Sequence, residues 1–188
     1  WQELGKPQRL EQVSQVVAGP LGSTISIDVA SVLNTDGAYS VTARITDPAG
    51  NSSPISSVSN FSLDTAKPNA PALTIAEGPA VNAGENADGI QTAVSLTGTN
   101  AIAGDTITLN FTRPDGTTGS VIHTITAAEI TAGSAALVIP TQTVQSVDNS
   151  GNPYVATATI TDAAGNVSTP SSASCSPRWP TGPCCATR

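Results

Sequence analysis

A short stretch of sequence occurs twice in this chain in nearly the same form. Residues 39–51 read YSVTARITDPAGN and residues 154–166 read YVATATITDAAGN, an offset of 115 positions. The likeness extends upstream, where Gly22 and Gly133 each precede a serine and an alternating apolar run. Self-similarity over such a distance indicates tandem structural units.

Within both copies apolar and polar residues alternate, which is the period of a β-strand and not that of a helix. Threonine, valine and isoleucine dominate these runs and suit a half-buried pleated surface. The run TAAEI, residues 126–130, is predicted to form a single helical turn. In the second copy the predicted inward residues are Tyr154, Ala156, Ala158 and Ile160, and the predicted outward residues are Thr157, Thr159 and Thr161.

Segments rich in Gly, Asp and Asn separate the strand candidates. About seven short strands in about a hundred residues are typical of an all-β, immunoglobulin-like β-sandwich. Tyr39 and Tyr154 stand at the head of the penultimate strand of each copy, as does the tyrosine of a tyrosine corner.

The boundaries of the units follow from a proline-containing segment, DTAKPNAP at residues 64–71, which is predicted to be a stiff linker. Residues 1–65 are predicted to be a partial repeat with only the C-terminal strands, of which residues 1–12 are expected to be disordered. Residues 66–174 are predicted to be one complete repeat. The three cysteines fall in residues 175–188, an atypical tail that is also expected to be disordered.

The charge of the chain limits its partners. The net charge is −7, the wrong sign for nucleic acid or for an anionic membrane surface. No apolar run approaches the ~18 residues of a membrane span, so we expect no membrane insertion. Trp1 opens a sequence without a signal-peptide pattern, which predicts an internal part of a longer protein. A divalent cation is the partner that this charge favours.

The sequence contains few residues in the patterns that catalysis requires. His123 is the only histidine, and its place in the strand-like run GSVIHTI predicts a cross-strand partner and not a catalytic base. The acids lie in separate turns, without the aromatic residues that would line a sugar cleft. The motifs of nucleotide-binding loops and zinc proteases do not occur. The sequence therefore predicts a protein that is not an enzyme.

Several segments in combination carry a resemblance to a known family. They are ITD(P/A)AGN, the DT-x-x-P linker after FSL, VNAGENADGI at residues 81–90 and AGDTITL at residues 103–109. Over residues 22–174 the chain resembles the bacterial immunoglobulin-like repeats of giant adhesins, the biofilm-associated and RTX-type surface proteins. The resemblance implies an extracellular position at the bacterial cell surface, neighbouring repeats of the same chain as partners, and Ca²⁺ at the junctions between repeats.

The acids can be assigned to such junctions because the loops of this sandwich gather at two poles. Asp64 in the linker is expected to face the loop that begins at Asp162. Asp105 lies at the same pole, and Asp36 approaches from the first unit. Calcium takes six to eight oxygen ligands. The alternative is that these acids only form turns in soluble loops. The candidate metal ligands are Asp36, Asp47, Asp64, Glu85, Asp105 and Asp162, with Asp47 serving the preceding junction and Glu85 the following one.

The predicted function is an extracellular structural spacer, a stalk repeat of a large bacterial surface adhesin that calcium stiffens at its inter-repeat junctions. One alternative is a β-sandwich module that binds carbohydrate or protein. Another is an accessory domain of a secreted hydrolase. An exposed aromatic platform would favour a binding module, but Tyr39 and Tyr154 are expected to lie inside.

Overall fold

The computed structural model describes residues 13–16, 25–29, 32–76, 87–113, 115–140 and 154–175. The chain divides into two compact units, Trp1–Thr65 and Ala66–Arg188. Residues 1–12 and 176–188, where disorder is expected, lie outside the described residues, as does the proposed ligand Glu85. Cys175, the first residue of the predicted tail 175–188, is instead part of a strand and pairs with Val155.

The described part of the second unit contains seven strands in two antiparallel sheets. Their bounds are β3 (Ala72–Ile75), β4 (Ile90–Ser95), β5 (Thr106–Thr112), β6 (Thr118–Thr124), β7 (Ser134–Ile139), β8 (Val155–Thr161) and β9 (Ser174–Cys175). The first sheet has the order β3-β4-β7 and the second the order β6-β5-β8-β9. The predicted all-β, immunoglobulin-like sandwich is therefore confirmed.

The core of the second unit is built from the inward faces of both sheets. Alternate residues of β4, β5, β7 and β8 are buried, as a period of two requires. The prediction that Ala156, Ala158 and Ile160 face inward is confirmed, whereas Tyr154 is only half-buried against the edge of the core. The buried cluster comprises Leu73, Ile90, Val94, Leu96, Ile107, Leu109, Phe111, Ile125, Ala135, Leu137, Ile139, Ala156, Ala158 and Ile160.

The helical turn predicted at residues 126–130 is confirmed as helix α1 (Ala127–Ala132), which precedes β7. The helix begins with a capping box. Thr126 accepts a hydrogen bond from the backbone of Glu129, and the Glu129 side chain accepts one from the backbone of Thr126. The helix ends at Gly133, whose φ of 72° is left-handed and allows the chain to turn directly into β7.

The described part of the first unit contains two strands, β1 (Gly37–Val41) and β2 (Ser59–Leu63), paired antiparallel. The hydroxyl of Tyr39 donates a hydrogen bond to the carbonyl of Thr35, which confirms the predicted tyrosine corner in this copy. The ring of Tyr39 also stacks on that of Phe61, with 5.5 Å between the ring centroids.

Candidate functional site

One hairpin occurs in both units with the same strand register. The first hairpin is residues 39–60 and the second hairpin is residues 154–175. Each position of the first corresponds to the position 115 residues later in the second, so the internal repeat of the sequence is also a repeat of structure. Three cross-strand pairs of the first hairpin have equivalents in the second: Ser40–Asn60 is equivalent to Val155–Cys175, Val41–Ser59 to Ala156–Ser174, and Thr46–Ser52 to Thr161–Val167.

The turn of each hairpin is closed by an Asp–Asn pair. The backbone N–H of Asn51 lies 2.8 Å from Oδ1 of Asp47, and its side-chain Nδ2 lies 2.9 Å from Oδ2. Asn166 makes the same two bonds to Asp162, at the same distances. The side-chain amide of each asparagine holds the pKa of its aspartate below the ordinary value, with backbone N–H groups contributing. This is the turn-forming arrangement that the alternative interpretation of these acids describes, while the calcium role of Asp47 and Asp162 stays a prediction.

Two serines tie the strands of the second hairpin together through their hydroxyl groups. The N–H of Ile160 donates to Oγ of Ser168 at 2.9 Å, while the N–H of Ser168 donates to the Ile160 carbonyl at 2.8 Å. Ser171 makes the same pair of bonds to Ala158. Each serine hydroxyl therefore takes the place of the carbonyl that would accept the strand N–H in a regular ladder. Ser171 directly follows Pro170, which has no N–H to donate.

The first hairpin contains the same serine bonds, which sequence reasoning missed. Ser53 pairs with Ile45 and Ser56 pairs with Ala43. The signal was present in the sequence, because the repeat extends beyond Asn51 as a serine at the second and the fifth following positions in both copies.

Asp105 is a predicted ligand with one carboxylate oxygen that lacks a hydrogen-bond partner. Its side chain is 2% exposed. Oδ2 accepts a hydrogen bond from the backbone N–H of Ile102 at 2.9 Å, whereas the buried Oδ1 has no hydrogen-bond partner. A buried carboxylate oxygen without a partner is costly, and a cation is one group that would satisfy it. Thr106 pairs with Thr161, so Asp105 and Asp162 lie at the same end of adjacent strands, as the pole argument predicts.

Asp36 and Asp64 both belong to the first unit. Oδ1 of Asp36 accepts hydrogen bonds from the backbone N–H and the hydroxyl of Thr65, at 3.0 and 2.8 Å. This contact places Asp36 beside the start of the linker, next to the exposed Asp64. Within the described ranges, no three His, Cys, Asp or Glu side chains are grouped closely enough to hold a metal ion. The calcium role of these residues stays a prediction.

His123 has a different partner from the predicted one. Its Nε2 lies 2.8 and 2.9 Å from the two carboxylate oxygens of Glu129 in α1, and not against a residue of the facing strand. The reason is that His123 occupies an inward position near the end of β6, where α1 follows. The hydrogen bond from His123 is the largest cause of the lowered pKa of Glu129, followed by that from the Thr126 backbone. His123 thus binds the glutamate that forms the N-terminal capping box of α1.

Comparison with known proteins gives a family match and several distant structural similarities, two of which are described. A family model described as a bacterial Ig-like domain matches residues 57–175. Among solved structures, a tetra-tandem repeat in the extending region of a large adhesion protein is similar at 21% identity and a TM-score of 0.39, over 81% of this chain and 34% of that one. Dimeric latent PorU from Porphyromonas gingivalis is similar at 10% identity and a TM-score of 0.36, over 76% of this chain and 12% of that one.

The chain therefore spans about a third or less of the length of these two structures. No curated protein matches it. A search of the described residues finds no helix with the length and apolar character needed to cross a membrane.

Proposed function

The chain belongs to the bacterial Ig-like domain family, and on that premise we propose that it is an extracellular spacer repeat of a large bacterial surface adhesin. Its role is mechanical and not catalytic: it holds a distal binding region away from the cell. Its partners are the neighbouring repeats of the same chain.

The observation that carries this proposal is the recurrence of one hairpin in the two units, with the same strand register and the same serine and Asp–Asn hydrogen bonds. The equivalent serine, aspartate and glycine contacts recur at a constant offset, including a φ of 92° at both Gly50 and Gly165. Tandem repeats of one fold are the means by which proteins build extended structures, because each unit contacts only its neighbours along the chain. A proline-containing linker of a few residues between the units suits such an array.

We further propose that Ca²⁺ stiffens the junction between consecutive repeats. The support is the net charge of −7, the orphaned buried oxygen of Asp105, and the position of Asp36 and Asp64 beside the linker. Carboxylate oxygens are the ligands that calcium prefers. Bound calcium would supply positive charge that replaces repulsion among these acids with shared coordination. Extracellular modules bind calcium with a Kd of about 10⁻⁴–10⁻³ M, so such a junction would fill outside the cell.

The experiment that tests both proposals uses two complete repeats. Gly22 occupies the position of Gly133, so residues 66–132 followed directly by residues 22–175 give two complete units and keep Asp36, Asp64 and the natural linker. Small-angle X-ray scattering of this protein is measured with millimolar calcium and with EGTA. We expect a longer and better-defined maximum dimension with calcium, and the same short dimension in both buffers for Asp64→Ala. The matched control is Asp88→Ala in the downstream repeat only, at an exposed aspartate before β4 and at the end of the sheet opposite to Asp105.

The two proposals fail separately in this experiment. Identical extended profiles in both buffers would contradict the calcium role and leave the spacer. A collapsed profile in both buffers, with the two units close together, would contradict the spacer itself.

The rival function as a carbohydrate-binding module would require aromatic rings on an exposed face. Tyr39 and Phe61 form a stacked pair, and Phe61 is 39% exposed. Tyr39 is equivalent to Tyr154, however, which packs against the core of the second unit. We therefore assign the stacked pair to strand packing and prefer the spacer.

A further inference from the structure

The first unit binds the chain to a point two residues beyond its last described strand. Leu63, the end of β2, pairs with Gly37 at the start of β1. Beyond this pair, Oδ1 of Asp36 accepts the backbone N–H of Thr65 at 3.0 Å and its hydroxyl at 2.8 Å. Hydrogen bonds to a carboxylate are stronger than those between neutral groups. The first unit therefore anchors the chain as far as Thr65.

The second unit binds the chain from a point four residues before its first described strand. That strand, β3, begins at Ala72, and Pro68 is already buried. The backbone N–H of Asn69 donates to the carbonyl of Thr99 at 2.8 Å, and its side-chain Nδ2 donates to the carbonyl of Gly98 at 2.9 Å. The second unit therefore anchors the chain from Pro68 onwards.

The loop that accepts the hydrogen bonds of Asn69 is held in place by the second unit. Thr99 is 1% exposed. Its hydroxyl donates to the carbonyl of Leu96 at 2.7 Å and accepts the backbone N–H of Ala101 at 3.2 Å. A buried residue with its hydroxyl bonded on both sides has little freedom, so the carbonyl that Asn69 binds belongs to a fixed part of the unit.

We propose that these two anchors limit the hinge between consecutive repeats to at most two residues, Ala66 and Lys67, and that they do so without a metal ion. Both residues are exposed. Lys67 precedes Pro68, whose ring disfavours helical backbone angles for the residue before it and fixes its own φ. The hinge therefore has fewer soft backbone angles than two ordinary residues would give. This inference rests on the spacer function and deepens it.

The anchors also set how far the chain can extend at a junction. Two residues span at most about 7 Å when fully extended. Loss of the anchor at Asp36 would release Asp64 and Thr65 as well, and the resulting four residues would span up to about 14 Å. Because the units of a tandem array contact only their neighbours, the slack of successive junctions adds along the array. A short hinge at each junction therefore suits a stalk.

Amide hydrogen exchange of the ¹⁵N-labelled full chain in EGTA tests the first anchor. In the parent chain we expect slower exchange at Thr65 and Asn69 than in an unstructured peptide. Asp36→Ala is expected to speed exchange at Thr65 at least about ten-fold, because the charged acceptor is lost, and to leave Asn69 unchanged. The matched control Asp36→Asn keeps an accepting oxygen but removes the charge, and it is expected to retain most of the protection.

Backbone relaxation of the same samples measures the released segment. We expect an order parameter of about 0.85 for the amide of Thr65 in the parent and below about 0.6 in Asp36→Ala. Nuclear Overhauser contacts between the rings of Tyr39 and Phe61 show that the hairpin of the first unit persists. Should Asp36→Ala lose these contacts, Thr65→Val, which removes only the hydroxyl bond, replaces it and is expected to speed exchange at residue 65 too.

The second anchor is tested by Asn69→Ala, which removes the side-chain bond to Gly98 and keeps the backbone bond to Thr99. Exchange at residue 69 is expected to become at least about three-fold faster, because one of the two bonds is lost. Exchange at Thr65 is expected to stay as in the parent, because that residue is held by the first unit.

Three results would overturn the proposal. Thr65 or Asn69 of the parent exchanges at the rate of an unstructured chain, so no anchor exists there. Asp36→Ala exchanges at Thr65 as slowly as the parent does. Asp36→Asn exchanges there as fast as Asp36→Ala, so the charge acts and not the hydrogen bond. Failure of the spacer function is distinguishable, because it gives a collapsed scattering profile of the two-repeat protein and leaves the exchange at Thr65 and Asn69 slow.

Discussion

Ile45 and Ile160 occupy the same position in two copies of one hairpin, and both donate their backbone N–H to the hydroxyl of a serine eight residues later. Ile160 is nevertheless fully buried, while Ile45 is 70% exposed. Local hydrogen bonding thus forms the hairpin in either setting, whereas the stabilisation that an isoleucine contributes depends on the strands that pack over it.

This relationship predicts different costs for the same substitution. Ile160→Ala is expected to lower the free energy of unfolding by about 2–5 kcal/mol, because it leaves a cavity between the sheets. Ile45→Ala is expected to change it by no more than about 0.5 kcal/mol, because the side chain is already largely in water. Chemical denaturation of the two variants and the parent chain measures both values. Equal costs would show that the first hairpin is packed as tightly as the second.

The buried serine of the second hairpin predicts a similar contrast. Ser168 is 5% exposed, and its hydroxyl accepts the N–H of Ile160. Ser168→Ala leaves that N–H without an acceptor in a buried place, which costs about 1–3 kcal/mol. Its matched control is Ser53→Ala, in the exposed first hairpin, where water replaces the hydroxyl at little cost. Urea titration distinguishes the two, and a Ser168→Ala variant as stable as the parent would contradict the structural role of the hydroxyl.

Gly119 is predicted to be intolerant of a side chain because Phe111 lies over it. A Cβ at Gly119 would lie 2.5 Å from Cζ of the Phe111 ring. Gly119→Ala is therefore expected to cost about 1–3 kcal/mol through overpacking. Thermal melting of Gly119→Ala, Phe111→Leu and the double variant forms a double-mutant cycle. The double variant should be more stable than the sum of the two single effects predicts, and strict additivity would count against the contact.

The contact between Glu129 and His123 predicts a dependence of stability on pH. The pKa of Glu129 is lower in the folded chain than its ordinary value of about 4.3. A carboxylate with a lowered folded pKa contributes stability above its unfolded pKa and loses it as the pH falls through the folded pKa. The stability difference between the parent and Glu129→Gln should therefore be present at pH 7 and shrink below about pH 4.

Denaturation midpoints from pH 7 to pH 3 measure this difference. Asp88→Asn is the control, because it removes one exposed carboxylate away from the helix cap. A constant difference between parent and Glu129→Gln across this range would show that the glutamate acts by shape and not by charge.

Much of the second unit was predictable because its signals are local. Alternation of apolar and polar residues identified the inward positions Ala156, Ala158 and Ile160, since a strand turns successive side chains to opposite faces. The run at residues 126–130 interrupts the alternation, which predicted the helical turn, and the capping box that the structure adds is formed by residues only three apart. The tyrosine corner at Tyr39 was predictable for the same reason.

Side-chain contacts between one element and the next were not predicted. The partner of His123 was expected on the facing strand and is Glu129, since the end of β6 faces the following helix. The serines that bind Ile160 and Ala158 were missed, because a hydroxyl that takes the place of a carbonyl leaves no trace in a hydrophobic pattern. The burial of the unpartnered Asp105 oxygen could not be predicted either, because it depends on which segments pack over its loop.

The strands and their faces therefore follow from the order of residues, because period and turn chemistry are properties of neighbouring residues, and the repeated hairpin follows from comparing the two copies. Tertiary packing makes Ile160 core and Ile45 surface. Their local sequences agree, and burial is set by strands from elsewhere in the chain, with β5 covering the second hairpin beside β8 and no equivalent strand beside β1 among the described residues.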